Sequence, residues 1–336
     1  MRHLFLSAAV ALVPAFAEAE APQQVIANVV SGHILAGFDT LAAETEALAL
    51  TAQTNCDTAS QDLRSSFASA FDAWLSVSHL RFGPSEAGDR AFALAFWPDT
   101  RGATPRALAA LIADRDPVAE DAASYAQVSI AARGFYAMEF LVFDEGLSAD
   151  AAYLCTLVQS VTGDMAATSA AIAQDWNTDY ADRLLNPSAT GTYRSDTEVL
   201  QELFKALSTG LQFTSETRLG RPLGTFDRPR PRRAEAWRAG RSARNTALSL
   251  EALAELAAHL SAPDPVLRDK ITARFDKALG QLSDLDDPVF AGVAHPQSRL
   301  KLEFVQQSVD AIRAVVRDEL GPTLGVAAGF NSLDGD

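Results

Sequence analysis

Apolar residues recur at steps of three and four along most of this 336-residue chain, and most of its prolines fall between those runs rather than inside them. The pattern is plain in Leu63, Phe67, Phe71 and Trp74, and again in Leu154, Leu157, Val161, Met165, Ile172 and Trp176. It returns in Leu200, Leu203, Phe204, Leu207 and Leu211, and in Leu267, Ile271, Phe275 and Leu282. Such spacing places apolar side chains on one face of a helix, whereas a half-buried strand would alternate every second residue. Pro222, Pro229, Pro231, Pro263, Pro265, Pro288 and Pro296 stand where helices should stop, because proline removes a backbone donor and clashes with the preceding turn. The only strand-like alternation, Phe92, Leu94 and Phe96, is too short to build a sheet. The fold class predicted is all-α.

Further helices are predicted from about Pro22 to Gln53, around Pro105 to Ala113, from Val118 to Phe143 with a stop near Gly146, from Trp237 to Leu260, and from Leu300 to Leu320. Between Phe82 and Pro105 the periodicity fails at Gly83-Pro84, Gly88-Asp89, Pro98-Asp99 and Gly102, which marks a long irregular connection of the kind that often carries function. The turn-rich stretch from Asn186 to Thr192 splits the chain into an expected N-terminal bundle over 20–185 and a C-terminal bundle over 195–336. Asp72-Ala73-Trp74 and Glu235-Ala236-Trp237 echo one another, one in each half, as two helical bundles related by duplication would allow.

Residues 1–19 combine Arg2, an apolar run from Leu4 to Ala17 and small residues at alternate positions, which reads as a cleavable secretory signal. That run is shorter than a membrane-spanning helix, no later segment of similar hydrophobicity lacks charges, and no cysteine lies near the cleavage site. The expectation is a soluble exported protein with no membrane-spanning segment after processing and no lipid anchor, periplasmic in a Gram-negative cell. The two cysteines, Cys56 and Cys155, then favour one disulfide over two buried thiols. A net charge of −15 argues against nucleic acid or anionic lipid as partners. One stretch departs from that average, a basic island of Arg221, Arg228, Arg230, Arg232, Arg233, Arg238, Arg241 and Arg244.

Within the expected 118–143 helix, Val128, Ala132, Phe135, Glu139 and Val142 form an apolar stripe that passes through a carboxylate. A buried carboxylate needs a partner, which makes Glu139 the first candidate for function. Tyr136, one turn earlier, is placed to donate a hydrogen bond to Glu139 or to supply an oxygen to a hard cation such as ferric iron. The plainer reading pairs Glu139 with an arginine that locks two helices together. Arg238, Ser242, Asn245 and Ser249 follow steps of four, three and four, so one polar helix face suited to an anion or to Glu139 is expected. Arg81 and Asp99 lie beside large aromatics in Arg81-Phe82-Gly83-Pro84 and Phe96-Trp97-Pro98-Asp99, a combination that often lines pockets. His33 and His79 read as packing or surface histidines. No H-E-x-x-H, nucleophile elbow or glycine-rich phosphate loop occurs.

Five blocks together resemble the imelysin-like family: Leu80-Arg81-Phe82-Gly83-Pro84, Phe96-Trp97-Pro98-Asp99, the run from Gly134 to Leu141, the run from Trp237 to Ser242, and the ending from Gly329 to Asp336. The resemblance implies two all-α bundles with a site in the cleft between them, in an exported protein of bacterial iron uptake from a family first labelled as metallopeptidases. The family pattern G-x-H-x-x-E falls on Gly134, Tyr136 and Glu139, with tyrosine in place of histidine. It therefore implies Glu139 as the site acid or metal ligand and Gly134 as a close-packing position, in an oxygen-rich site. The reading is a non-catalytic binding or accessory protein for iron, or for an iron-containing or anionic ligand, working with membrane transport components. A metallopeptidase and a structural or protein-interaction module are the alternatives.

Overall fold

The computed structural model describes residues 22–147 and 149–326. The expected signal segment and the family-like ending at 329–336 lie outside the described residues. Among the described residues the chain is helical with no strand, and one isolated bridge, Thr225 to Arg228, is its only β feature. The Phe92–Phe96 alternation belongs to a one-turn helix, Arg90–Leu94, and the extended residues after it.

The long helices are α1 (Pro22–Thr54), α2 (Gln61–Val77), α3 (Ala103–Asp114), α4 (Gly134–Phe143), α5 (Ala151–Asp175), α6 (Asp196–Gln212), α7 (Ser242–Leu260), α8 (Pro265–Ser283) and α9 (Pro296–Val315). Their starts are set by side chains that satisfy free backbone N–H groups: Ser60 accepts from Leu63, Asp150 from Ala152 and Tyr153, Ser195 from Glu198, and Asp264 from Leu267. Pro265 and Pro296 occupy first helical positions, where a missing N–H costs nothing.

α1 packs against α2 and α5, and its first turns reach α6 and α7 in the other half of the chain. Pro22–Thr54 is long and apolar enough to cross a membrane by length and composition, its most apolar 18-residue stretch having a mean hydropathy of 1.4. Here Val25, Ile26, Val29, Ile34, Phe38, Leu41 and Leu48 are buried among other side chains, as in the core helix of a globular fold. A single connected apolar core runs from Val25 to Val326, past the turn-rich segment after Leu185. The Cys56–Cys155 disulfide ties the end of α1 to the start of α5.

Two helices differ from expectation in ways that shape the site. The predicted helix from Val118 to Phe143 is broken into the single turns Pro117–Glu120, Ala122–Tyr125 and Ile130–Ala132, followed by α4. Asp116, Asp121 and Ser129 each turn a side-chain oxygen to a backbone N–H two or three residues on, and these local bonds compete with helix continuation. Val128 and Ala132 therefore do not share a helix with Glu139. α4 is apolar and buried almost all round rather than along one stripe, as suits a central helix. The helix predicted from Trp237 begins instead at Ser242, since Ala236 (φ 46°) and Gly240 (φ 71°) hold residues 236–241 in a turn. Glu235-Ala236-Trp237 is thus not a helical counterpart of Asp72-Ala73-Trp74.

Candidate functional site

Gly134 fixes where the site begins. Its φ of 72° favours glycine, and a Cβ there would lie 2.1 Å from the Leu94 carbonyl oxygen and 2.3 Å from that of Ala93. The close-packing role expected of it is thus met by backbone on backbone. The contact presses the start of α4 against the Arg90–Leu94 turn and directs Tyr136 and Glu139 at residues 235–239.

Tyr136 does not bond Glu139. Its hydroxyl donates to Glu235 Oε1 at 2.5 Å, and the other oxygen of Glu235 receives Arg218 Nε at 2.8 Å. Arg218 also donates to Ser249 Oγ at 3.2 Å and lies over the Phe213 ring. All four polar residues are buried. Arg218 arrives on a π-helical extension of α6, Phe213–Leu219, whose wider turn rotates it inward. Burial first, and then the neighbouring Glu235 carboxylate, push the Tyr136 phenol well above its usual pKa, so it stays a neutral donor.

Glu139 is 3% exposed. Its Oε1 accepts backbone N–H groups from Arg238 at 2.9 Å and Ala239 at 3.3 Å, while Oε2 has no hydrogen-bond partner among the described residues. The turn at 236–241 thus gives two of its N–H groups to Glu139, while those of Gly240 and Arg241 close on Trp237 and Ala236 carbonyls within the turn. Burial raises the Glu139 pKa, the Arg238 charge and the two N–H groups offset part of that rise, and the result is about 7. The expected arginine lock takes a different form. The Arg238 guanidinium bonds Asp144 at 2.6 Å and covers the rings of Phe140 and Trp237, and only its backbone meets Glu139.

The expected polar face is realised in part. Ser242, Asn245 and Ser249 are buried together on α7, but Arg238 precedes the helix. Ser242 donates to the Glu235 carbonyl at 2.7 Å, and the Asn245 side-chain amide has no partner for either of its polar atoms among the described residues. Neither Ser242 nor Asn245 lines the cavity described below. Arg241 and Arg244 both pair with Asp72 of α2, clamping the turn to the first half of the chain. Arg81 pairs with Glu86 and lies over Phe92, away from the cavity. Asp99 does stand in the cavity wall, and its oxygens cap α3 at Ala103 (2.9 Å) and Thr104 (2.8 Å). Burial alone would raise the Asp99 pKa, but these backbone bonds outweigh it and the pKa is lowered. His33 and His79 are buried, with their Nε2 atoms 2.9 Å apart and His33 Nδ1 3.1 Å from Glu255.

A cavity of about 200 Å³ opens beside Glu139, walled by residues 96–105, by α4 and by residues 221–238. Trp97, Trp237 and Phe140 supply aromatic surface, and Arg221, Arg232, Arg233 and Arg238 supply charge. Trp97 stacks on Tyr136 and carries Arg221 on its ring, while Arg232 lies over Trp237. Sequence reasoning reached Arg221, Arg232 and Arg233 as part of the basic island but not as parts of a site. It met Glu235 only in the tripeptide echo and had no signal for Arg218, whose placement depends on a π-helical turn.

The donor set does not fit a resident metal ion. Among the described residues no group of three or more histidine, cysteine, aspartate or glutamate side chains could hold one. Near Glu139 the other oxygen donors, Tyr136 and Glu235, are bonded to each other and to Arg218, which leaves Oε2 of Glu139.

The fold and site define an all-α protein with a cationic, aromatic-walled cavity next to a buried acid of near-neutral pKa. The chain belongs to the imelysin family (peptidase M75), whose model matches residues 34–316. An imelysin-like protein of Psychrobacter arcticum 273-4 has a similar structure, with a TM-score of 0.77 and 20% identity over 92% of this chain and 97% of that one. A protein named as a candidate iron-regulated protein A precursor, from Parabacteroides distasonis ATCC 8503, has a TM-score of 0.73 and 13% identity over 88% and 94% of the two chains. At these identities the two structures share the fold. Comparison with curated proteins returns no significant match.

Proposed function

We propose that this imelysin-family protein is an exported, non-catalytic binding component of bacterial iron acquisition, and that its ligand sits in the cavity beside Glu139. The observation that carries the reading is the free Oε2 of Glu139 at the wall of a cavity with aromatic and arginine surface. The disulfide fits an oxidising compartment such as the periplasm, and the name of the Parabacteroides structure supports the link to iron. Iron would arrive already chelated, since the protein offers one free carboxylate oxygen rather than a ligand set, and delivery to a membrane transporter would follow. A zinc peptidase needs about three protein ligands on its metal, which the same donor set does not supply.

Size narrows the ligand. Pockets for drug-sized molecules run from about 300 to 1,000 Å³, so a cavity of about 200 Å³ suits a compact chelate rather than heme. Calorimetric titration with ferric citrate and with hemin tests this, using the native protein and Thr100→Phe, which fills the cavity from its exposed rim. Saturable ferric citrate binding that is lost in the filled variant is expected, with no hemin binding. Failure of ferric citrate to bind, or equal binding by the filled variant, would overturn the reading.

A further inference from the structure

Arginines in this chain have no shortage of partners, with 43 acidic residues against 28 lysines and arginines. Within and next to the basic island four find one: Arg218 pairs with Glu235, Arg238 with Asp144, and Arg241 and Arg244 with Asp72, whereas Arg228 and Arg230 make no ion pair among the described residues and lie outside the cavity. Arg221, Arg232 and Arg233 make no ion pair among the described residues, and all three line the cavity beside Glu139. The two carboxylates in the same wall do not neutralise them. Asp99 is turned to the N-terminus of α3, and Glu139 Oε1 to the backbone of Arg238 and Ala239.

Two of the three guanidinium groups are held by ring faces, Arg221 at 5.8 Å from the Trp97 centroid and Arg232 at 5.7 Å from that of Trp237. Stacking of this kind orients a planar fork without using its hydrogen atoms, and leaves it able to grip an oxyanion in bidentate fashion. Arg221 is half-buried and its Nε has no hydrogen-bond partner among the described residues. Burial, and then the charge of Arg233, pull its pKa down, so two like charges face one small space uncompensated. An anion in the cavity would relieve both the repulsion and the unmet donor.

We infer that Arg221, Arg232 and Arg233 form a subsite for a small polyvalent oxyanion, of carboxylate or phosphate chemistry. This deepens the ligand-binding reading of the cavity and rests on it. In an iron chelate the subsite would hold the anionic periphery, so the metal need not touch the protein. It would also make affinity fall with ionic strength, as exposed arms of arginine clusters do.

The test uses iron-free citrate and inorganic phosphate as separate probes in calorimetric titrations of the native protein, of Arg221→Gln, of Arg233→Gln and of the two combined. Arg194→Gln, which lies outside the cavity and pairs with Glu198, is the control. Each cavity substitution should weaken binding on the order of tenfold, and the control should not. Tighter binding of citrate would identify a carboxylate ligand, and of phosphate a phosphate ligand. No binding of either probe to folded protein, or unchanged binding in the combined variant, would overturn the subsite. Ferric citrate binding that survives loss of the arginines would sink the subsite and leave the functional reading standing. Iron-free anion binding without any for ferric citrate would do the reverse.

Discussion

Tyr136 and Glu235, 99 residues apart, share a hydrogen bond of 2.5 Å that joins α4 to the segment before α7. With Arg218 on the other oxygen of Glu235, the bond completes a buried triad of phenol, carboxylate and guanidinium. Removing Arg218 or Glu235 leaves the other as a buried charge without its partner. Arg218→Leu is expected to cost about 3–5 kcal/mol in urea denaturation. Arg218→Leu with Glu235→Leu should recover part of that loss, because no isolated charge remains, and strict additivity of the two single losses would contradict the pairing.

Glu139 makes stability depend on pH. Its folded pKa of about 7 lies above the ordinary 4.5, so the folded state binds the extra proton between those values. The contribution is fully present below pH 4.5 and is lost as pH rises through 7, a change of about 3 kcal/mol. Glu139→Gln removes this slope. The stability of the variant relative to the native protein should therefore improve as pH rises from 5 to 8, measured by chemical denaturation across that range. A constant difference would show that Glu139 titrates normally.

His79 acts with the opposite sign. Burial, followed by the charges of His33 and Arg218, holds its pKa well below 6.5, so the folded protein keeps it neutral while the unfolded chain protonates. Stability should fall as pH drops below about 6.5, and His79→Gln should flatten that acid-side slope while leaving the Glu139 slope in place. The two variants together separate the opposing contributions in one set of melts.

Gly134→Ala should be severe for a residue without a side chain. A Cβ would meet two carbonyl oxygens within 2.3 Å and force φ from 72°, so a loss of more than about 2 kcal/mol is expected. Thermal melts would check it, and an unchanged midpoint would rule out the close approach of α4 to Leu94.

The disulfide closes a loop of 99 residues. Cys56→Ser with Cys155→Ser should cost about 4–5 kcal/mol by chain entropy, and reductant should lower the melting temperature of the native protein but not of the variant.

Helix content was readable because periodicity is local. The spacing of Leu154, Leu157 and Val161 or of Leu200, Leu203 and Leu207 allows few other arrangements, and the runs became α5 and α6. Where expectation failed, at 118–133 and at 237–241, short side chains and positive φ values offered the backbone other partners: Asp116, Asp121 and Ser129 in one case, the Glu139 carboxylate in the other. Apolar spacing alone does not register such competition.

The sequence by itself determined an all-α chain through local periodicity, favoured one disulfide by cysteine count, and pointed to a buried Glu139, while the close contact at Gly134 came from the family resemblance. Only the tertiary structure decided that Tyr136 bonds Glu235 instead of Glu139, that Arg238 meets Glu139 through its backbone, and that Arg221, Arg232 and Arg233 stay unpaired around one cavity. Those outcomes depend on the angles at which distant segments pack, and electrostatic partners are chosen by distance in space, which no spacing along the chain encodes.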